Sequence, residues 1–475
     1  MDRKKEFTKN TFIIMIGIIF TKFISYLLLP LYTRKLSTAE YGTYELLNNL
    51  IFLIVPIISF NIDQGIFRYL INNRKNEKKI KEYISATLFF NLLVIIFSSI
   101  IFIVINSFIN FEYKVLLVIN IILSDLSTIV LQISRGLGKN KEYSKTSIIT
   151  AMITIIFNIV FLLALKMKVN GLLIGGLIGY LCGILYISIK LDLLKYISFK
   201  VVKKKNILEL LKYSAPLIPN SLSWWVFSVS DRFVVSYFLN LSATGILSIS
   251  YKISNIVTVI YSIFNMSLTE FVSLHIKEKN IKDIFNNLFN KIIQLFTSLG
   301  FLILVFMPIL FKLFINDTFI EAYKYIPIAI IACIFHVIVG LLGVVYVANK
   351  NTKSISKTSI ASAIINIITN IILIKYIGIY AAVVSTLISY MVLFIYRYID
   401  VRKKYFKASL DWEKMILNII IGIIVCIVYY QKNVYVKCAS MIIITIYSIY
   451  MNKETIKYLL NILRLKIGKG EQKNA

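Results

Sequence analysis

Residues 325–347 read YIPIAIIACIFHVIVGLLGVVYV, and His336 is the only titratable nitrogen base among them. As a helix this run is about 34 Å long at 1.5 Å per residue. That is enough to cross a hydrocarbon core of ~30 Å. Working outward in both directions, comparable blocks recur along the chain. They predict spans near 11–33, 43–70, 83–105, 115–134, 146–165, 172–194, 213–238, 246–272, 288–311, 325–347, 358–374, 379–396, 415–430 and 435–451. Charged residues are 16% of the sequence, against roughly a quarter in a soluble domain. The fold class expected is therefore an all-α integral membrane protein of about fourteen transmembrane helices. The first block is too long for the apolar core of a cleavable signal and lacks a small-residue cleavage site.

The net charge of +30 could suggest a nucleic-acid partner, but the distribution of the charge argues otherwise. Of 53 Lys and Arg, 39 fall at the N-terminus and in alternate loops, 10 in the other loops and at helix ends, and 4 inside spans. A bias of this kind is the positive-inside rule. It places both termini in the cytoplasm of a bacterial cytoplasmic membrane and requires an even number of spans. Arg397 is counted here with the cytoplasmic loop 397–414. The four cysteines lack metal or redox spacing, and two histidines are too few for a His-based metal site, so no metal is expected. Short loops leave no extramembrane domain to house an enzyme.

The chain repeats itself. Lys145-Thr-Ser-Ile148 recurs as Lys357-Thr-Ser-Ile360, and Leu36-Ser37 recurs as Leu241-Ser242. Common order and similar offsets indicate a six-plus-six duplication with two further helices. The expected divisions are a lobe over 1–205, a second over 206–400, and a C-terminal part over 401–475. Transporters built from parallel repeats hold substrate between the halves.

Several motifs carry a family resemblance. Pro30 to Gly42 (PLYTRKLSTAEYG), Asp63 to Tyr69 (DQGIFRY), Arg135 to Asn140 (RGLGKN), Ser230-Asp-Arg-Phe233 and Leu241-Ser-Ala-Thr-Gly245 resemble Wzx-type polysaccharide-unit flippases. These belong to the multidrug/oligosaccharidyl-lipid/polysaccharide exporter superfamily. The resemblance implies two lobes in a V-shaped arrangement, as in multidrug transporters of that superfamily. It also implies flipping of undecaprenyl-diphosphate-linked oligosaccharide.

Charges inside the membrane are costly and usually face a cavity or a partner. Lys22 lies near the middle of the first span. Arg232 and Lys252 lie seven residues from Leu239 and Gly245 respectively, so both sit ~10 Å from the outer surface. With Asp231 as their partner they leave a surplus of positive charge suited to a diphosphate. The competing reading is a structural pair of Asp231 with Lys252 or Lys22. In the second span Glu45 belongs to a polar stripe, as a cavity charge partner or part of a gate. Asp63 and Arg68 lie near its cytoplasmic end, as a gate, a surface salt bridge or plain helix-end charges. Asp125 is either a proton site or the partner of a lumen cation. Trp224 and Trp225 either stack on sugar rings or pack, and His336 reads as a hydrogen-bonded packing residue. Pro30, Pro216 and Pro219 fall in the first span of each repeat, as hinges or as static kinks.

These residues fit alternating access. A cationic site of Lys22, Arg232 and Lys252 holds the diphosphate while the polyprenyl tail stays in lipid. Outward movement of an anion against an inside-negative potential is favourable by ~2.3 kcal/mol per charge per 100 mV. No organic cofactor is expected, and coupling to Na⁺ or H⁺ stays open. Membrane lipids are expected partners, a polysaccharide polymerase stays open as another, and a monomer is expected. A lipid II flippase, a multidrug antiporter and a membrane polymerase or ligase are the rival readings.

Overall fold

The computed structural model describes residues 26–106, 111–276, 278, 280–349, 351–406 and 408–457. Lys22 and most of the first predicted span lie outside the described residues. In chain order the α-helices are α1 Leu29–Lys35, α2 Thr38–Ile58, α3 Ile62–Asn73, α4 Glu77–Asn106, α5 Lys114–Gly136, α6 Asn140–Leu163, α7 Lys168–Lys190, α8 Leu193–Tyr196, α9 Lys204–Ser214, α10 Ile218–Phe238, α11 Leu241–His275, α12 Ile281–Phe314, α13 Ile326–Ala348, α14 Thr352–Ile377, α15 Tyr380–Lys404, α16 Trp412–Tyr430 and α17 Val434–Met451. Among the described residues, 12 helical stretches are long and apolar enough to cross a membrane. The seventh predicted span is present as α10. Its serines, Asn220, Asp231 and Arg232 make it too polar to count among the twelve. The all-helical, multi-pass architecture read from the sequence is therefore present.

Packing divides the chain into two compact units, Met1–Ser248 and Ile249–Ala475. The cut falls inside α11, because the first turns of that helix are fused to the N-terminal unit. A Cβ on Gly42 of α2 would lie 2.1 Å from the Leu241 carbonyl oxygen, and one on Gly245 would lie 2.0 Å from the Thr38 carbonyl oxygen. Two helix backbones touch there with nothing between them. The start of α2 is fixed by a capping box, in which Ser37 and Glu40 satisfy each other's backbone N–H groups.

In the N-terminal unit, α6 and α7 pack through glycines spaced four residues apart. Gly175, Gly179 and Gly183 face Asn158, Thr154 and Thr150, with would-be Cβ distances of 2.1, 2.0 and 2.1 Å. Lipid chains are as apolar as leucine, so close backbone approach replaces hydrophobic burial as the source of affinity. Gly176 is different, since a Cβ there would meet Asn120 Oδ1 at 3.4 Å, an ordinary contact. Gly176→Ala is therefore expected to leave the melting temperature within about one degree of wild type, a change below ~0.5 kcal/mol. Melting of the purified variant checks this. The remaining core of the unit joins Ile62, Ile66 and Leu70 of α3 to Ile84, Ile129, Ile133 and Leu210.

The span expected over 43–70 is broken. Phe60 and Asn61 adopt positive φ of 53° and 51°, so α2 ends at Ile58 and α3 starts at Ile62. Asparagine tolerates the left-handed region, whereas phenylalanine there is strained. Asn61 Nδ2 donates to Ser221 Oγ at 3.2 Å, which helps to hold the break. The prolines also mark interruptions. Pro30 stands in the first turn of α1, Pro216 lies in a 3₁₀ turn over Ala215–Leu217, and Pro219 starts α10.

In the second unit α16 and α17 pack against α12, and α14 and α15 form a hairpin against α13. Isoleucines 419, 423, 427, 442, 443 and 446 are exposed on α16 and α17. A patch of this kind belongs against lipid rather than water.

Candidate functional site

The N-terminal unit places Arg232 beside a carboxylate that the sequence offered as a charge partner or part of a gate. Arg232 Nε lies 4.0 Å from Glu45 Oε2 and donates to Ser248 Oγ at 3.0 Å. Tyr41 OH donates to Glu45 Oε1 at 3.0 Å. Three helices, α2, α10 and α11, thus meet at one buried polar knot. Glu45 is a partner of Arg232, and it lowers the surplus positive charge inferred from the sequence. Asp231 is buried on the same turn of α10, and Lys252 is half-buried in α11 within the second unit. Trp225 donates its indole N–H to the Asn49 carbonyl at 2.8 Å and packs on Phe233, so it acts as a packing aromatic. The side chain of Trp224 lies outside the described residues.

Asp63 and Arg68 do not pair. Asp63 is buried in the first turn of α3 and accepts from Gln64 Nε2 at 2.6 Å, while Arg68 is exposed on the opposite face. A separation of five residues sets them apart around the helix, so of the alternatives read from the sequence a salt bridge between these two residues is not formed. Asp125 is buried in α5 and accepts a hydrogen bond from Asn91 Nδ2 of α4. His336 packs between the rings of Tyr261 and Tyr390. Its Nδ1 makes no hydrogen bond among the described residues, which corrects the hydrogen-bonded role expected for it.

The second unit holds a residue that the sequence reading misplaced. Arg397 lies inside α15, 4% exposed, and not in a cytoplasmic loop. Its Nη1 donates to the Val339 carbonyl of α13 at 3.1 Å, and Nη2 donates to Thr358 and Ser359 of α14 at 3.1 Å each. The signal available was the Thr-Ser of the repeated Lys-Thr-Ser-Ile motif. In the first copy Thr146 and Ser147 bond only to their own helix, so the motif alone does not announce an arginine.

Two cavities of about 650 Å³ each lie in the same unit and share Ile293, Met415 and Asn418 in their walls. One is a polar vestibule. Its walls include Asn286, Asn290 and Gln294, spaced four apart on one face of α12, together with Lys291, Lys414 and Lys453. Asn286 and Asn290 tie down the segment before α16 through Ser409 and Asp411. Lys414 pairs with Asp411 at 2.6 Å, and its hydrogen bond holds that carboxyl below the usual carboxylate range. Lys291 pairs with Glu454 at 3.0 Å. The second cavity is an apolar groove lined by Phe301, Phe335, Ile419, Ile423, Ile427 and others, from Met415 as far as Tyr430. Asn418 forms the boundary. It donates to Gln294 Oε1 at 2.9 Å and accepts from Tyr447 OH at 2.8 Å. Over Met415 to Tyr430 the groove runs about 22 Å along α16, beyond the ~15 Å of one leaflet's half of the core.

Long apolar helices with buried ionic groups and an apolar groove are the build of a multi-pass membrane protein. Solved structures share the fold. The lipid II flippase MurJ in an inward closed conformation aligns with a TM-score of 0.69 and 18% identity, over 95% of this chain and 100% of that one. An inward-facing multidrug resistance MATE family transporter of the MOP superfamily aligns with a TM-score of 0.64 and 12% identity, over 82% of this chain and 96% of that one. A MOP superfamily transporter from Pyrococcus furiosus aligns with a TM-score of 0.59 and 15% identity, over 84% and 97%. The sequence itself matches the family described as polysaccharide biosynthesis protein over residues 7–269. The chain belongs to that family. No curated protein matches it.

Proposed function

We propose that the protein is a flippase that carries undecaprenyl-diphosphate-linked oligosaccharide from the cytoplasmic to the outer leaflet of the bacterial cytoplasmic membrane, by alternating access of two lobes. The observation that carries this reading is the vestibule beside the groove, the two sharing Ile293, Met415 and Asn418 in their walls. Its basic residues Lys291, Lys414 and Lys453 all lie on the side that the charge census makes cytoplasmic. A polar headgroup entering there would leave its chain in the groove. That chain would be longer than one leaflet, which suits a polyprenyl better than a phospholipid acyl chain.

Lys22, Arg232 and Lys252 are the proposed diphosphate ligands on the crossing path. At Arg232 the diphosphate would compete with Glu45 for the guanidinium. Pro30, Pro216 and Pro219 are the proposed hinges, since each stands at an interrupted helix. No bond is broken in this scheme.

The test uses Ile423→Trp with Ile427→Trp. Both positions are more than half exposed, so added bulk fills the groove without overpacking a core. Surface polysaccharide is expected to fall at least ~10-fold, a barrier of about 1.4 kcal/mol or more. Mass spectrometry should find the lipid-linked unit accumulating. Normal export by the folded double variant would overturn the groove. Growth arrest on depletion, with lipid II accumulating, would instead assign lipid II flipping.

A further inference from the structure

The N-terminal unit contains two buried acids that the flippase scheme does not use. Asp63 of α3 is 7% exposed and Asp125 of α5 is 2% exposed. They come from helices that pack on each other, and Asp63 is near enough to act electrostatically on Asp125. Among the described residues no lysine or arginine pairs with either carboxylate. Arg68 is exposed. Arg135 of α5 lies over the rings of Phe67 and Tyr143. Glu209 of α9 is occupied by Tyr83 of α4 at 2.8 Å. Two neighbouring carboxylates in a membrane interior cannot both stay charged without a positive partner.

A separate observation points to what that partner is. Asn91 of α4 is 1% exposed. Its Nδ2 donates to Asp125, and its Oδ1 accepts no hydrogen bond from any described residue. A bare amide oxygen is thus presented beside a carboxylate, where a donor or a cation would satisfy it. Ser59 adds a fourth oxygen group nearby, since its Oγ donates to the Val55 carbonyl at 2.8 Å and lies close enough to act on the Asp125 carboxyl. Ser59 is the last residue before the left-handed pair Phe60 and Asn61. The chain is therefore unwound where the oxygens gather, as at the ion sites of broken transporter helices.

We propose that Asp63, Asp125, Asn91 and Ser59 form a site for a monovalent cation, a sodium ion or a proton, whose loading is coupled to transport. The coupling rests on the flippase reading, but occupancy of the site does not. All four groups offer oxygen, which suits a hard cation. The site joins α3, α4, α5 and the end of α2, so loading it changes the charge balance exactly where the broken span is hinged to its neighbours.

The test is thermal melting of the purified full-length protein in detergent, with no substrate present. Sodium chloride is compared with choline chloride at equal ionic strength, and a pH series is run in choline. If the cation is sodium, the melting temperature rises saturably by about 3 °C or more up to ~100 mM sodium. Asn91→Ala, which keeps both acids, weakens that rise, and Asp125→Asn or Asp63→Asn removes it. If the cation is a proton, sodium has no effect. Stability then grows as the pH falls, because the folded protein holds a proton that the unfolded chain releases. Asp125→Asn flattens that slope. A wild-type protein that responds to neither, or a response retained in both folded acid variants, overturns the site. Because melting needs no substrate, that outcome leaves the flippase reading untouched. Normal export in the groove variant would overturn the flippase reading and leave the cation site standing.

Discussion

Gly245→Ala is expected to destabilise the protein by about 3 kcal/mol, the upper end of the usual cost of overpacking. One methyl group has this effect because of what it meets. The new Cβ would lie 2.0 Å from the Thr38 carbonyl oxygen and 3.1 Å from the Gly42 amide nitrogen. Both are backbone atoms inside α2, so no side-chain rotation relieves the clash and the helices must separate. Gly42→Ala makes the same collision from the other side, at 2.1 Å from the Leu241 carbonyl oxygen. The double variant should cost little more than either single one, because both remove one contact. Separation would also carry Ser248 away from Arg232, so export should fall with stability. Melting and export of the three variants check this. A wild-type melting temperature for Gly245→Ala would mean that the two backbones are not in contact.

Arg397→Lys is expected to cost roughly 3 kcal/mol despite keeping the charge. The guanidinium joins three helices through Val339, Thr358 and Ser359. Hydrogen bonds from a charged group contribute ~1.5–3 kcal/mol each, and they are not additive. An ammonium has no planar fork and cannot serve these acceptors at once. The same helix carries Asp400, which accepts from Tyr346 OH at 2.7 Å, so the damage should spread to the α13–α15 contact. A loop arginine, as read from the sequence, would tolerate lysine within ~0.5 kcal/mol. Comparing the melting of Arg397→Lys with that of the exposed Arg402→Lys separates the two cases.

The charge outcomes show where sequence reasoning stops. Arg232 was singled out because a charge within a span is conspicuous. Its partner Glu45 lies 187 positions away, and no local pattern links them. Asp125 was visible as an isolated acid, but Asn91 is an ordinary residue until the fold brings it to that acid. Arg397 was assigned to a loop because hydropathy falls at Tyr396, whereas α15 continues to Lys404. Hydropathy averages over a window and cannot register a charge that satisfies itself on neighbouring helices.

The sequence by itself determined that this is an all-helical, multi-pass protein with a repeated pattern, and its motifs pointed to the family. Those properties follow from the thickness of the bilayer and from residue type summed over twenty positions, which are local quantities. Only the tertiary structure decided the rest. It broke the span over 43–70 at Phe60 and Asn61, paired Arg232 with Glu45, and set a polar vestibule beside an apolar groove. In lipid, helix contacts are specified by close backbone approach and buried hydrogen bonds rather than by burial of apolar surface. Those contacts are made between residues far apart in the chain, so they exist only once the helices are packed.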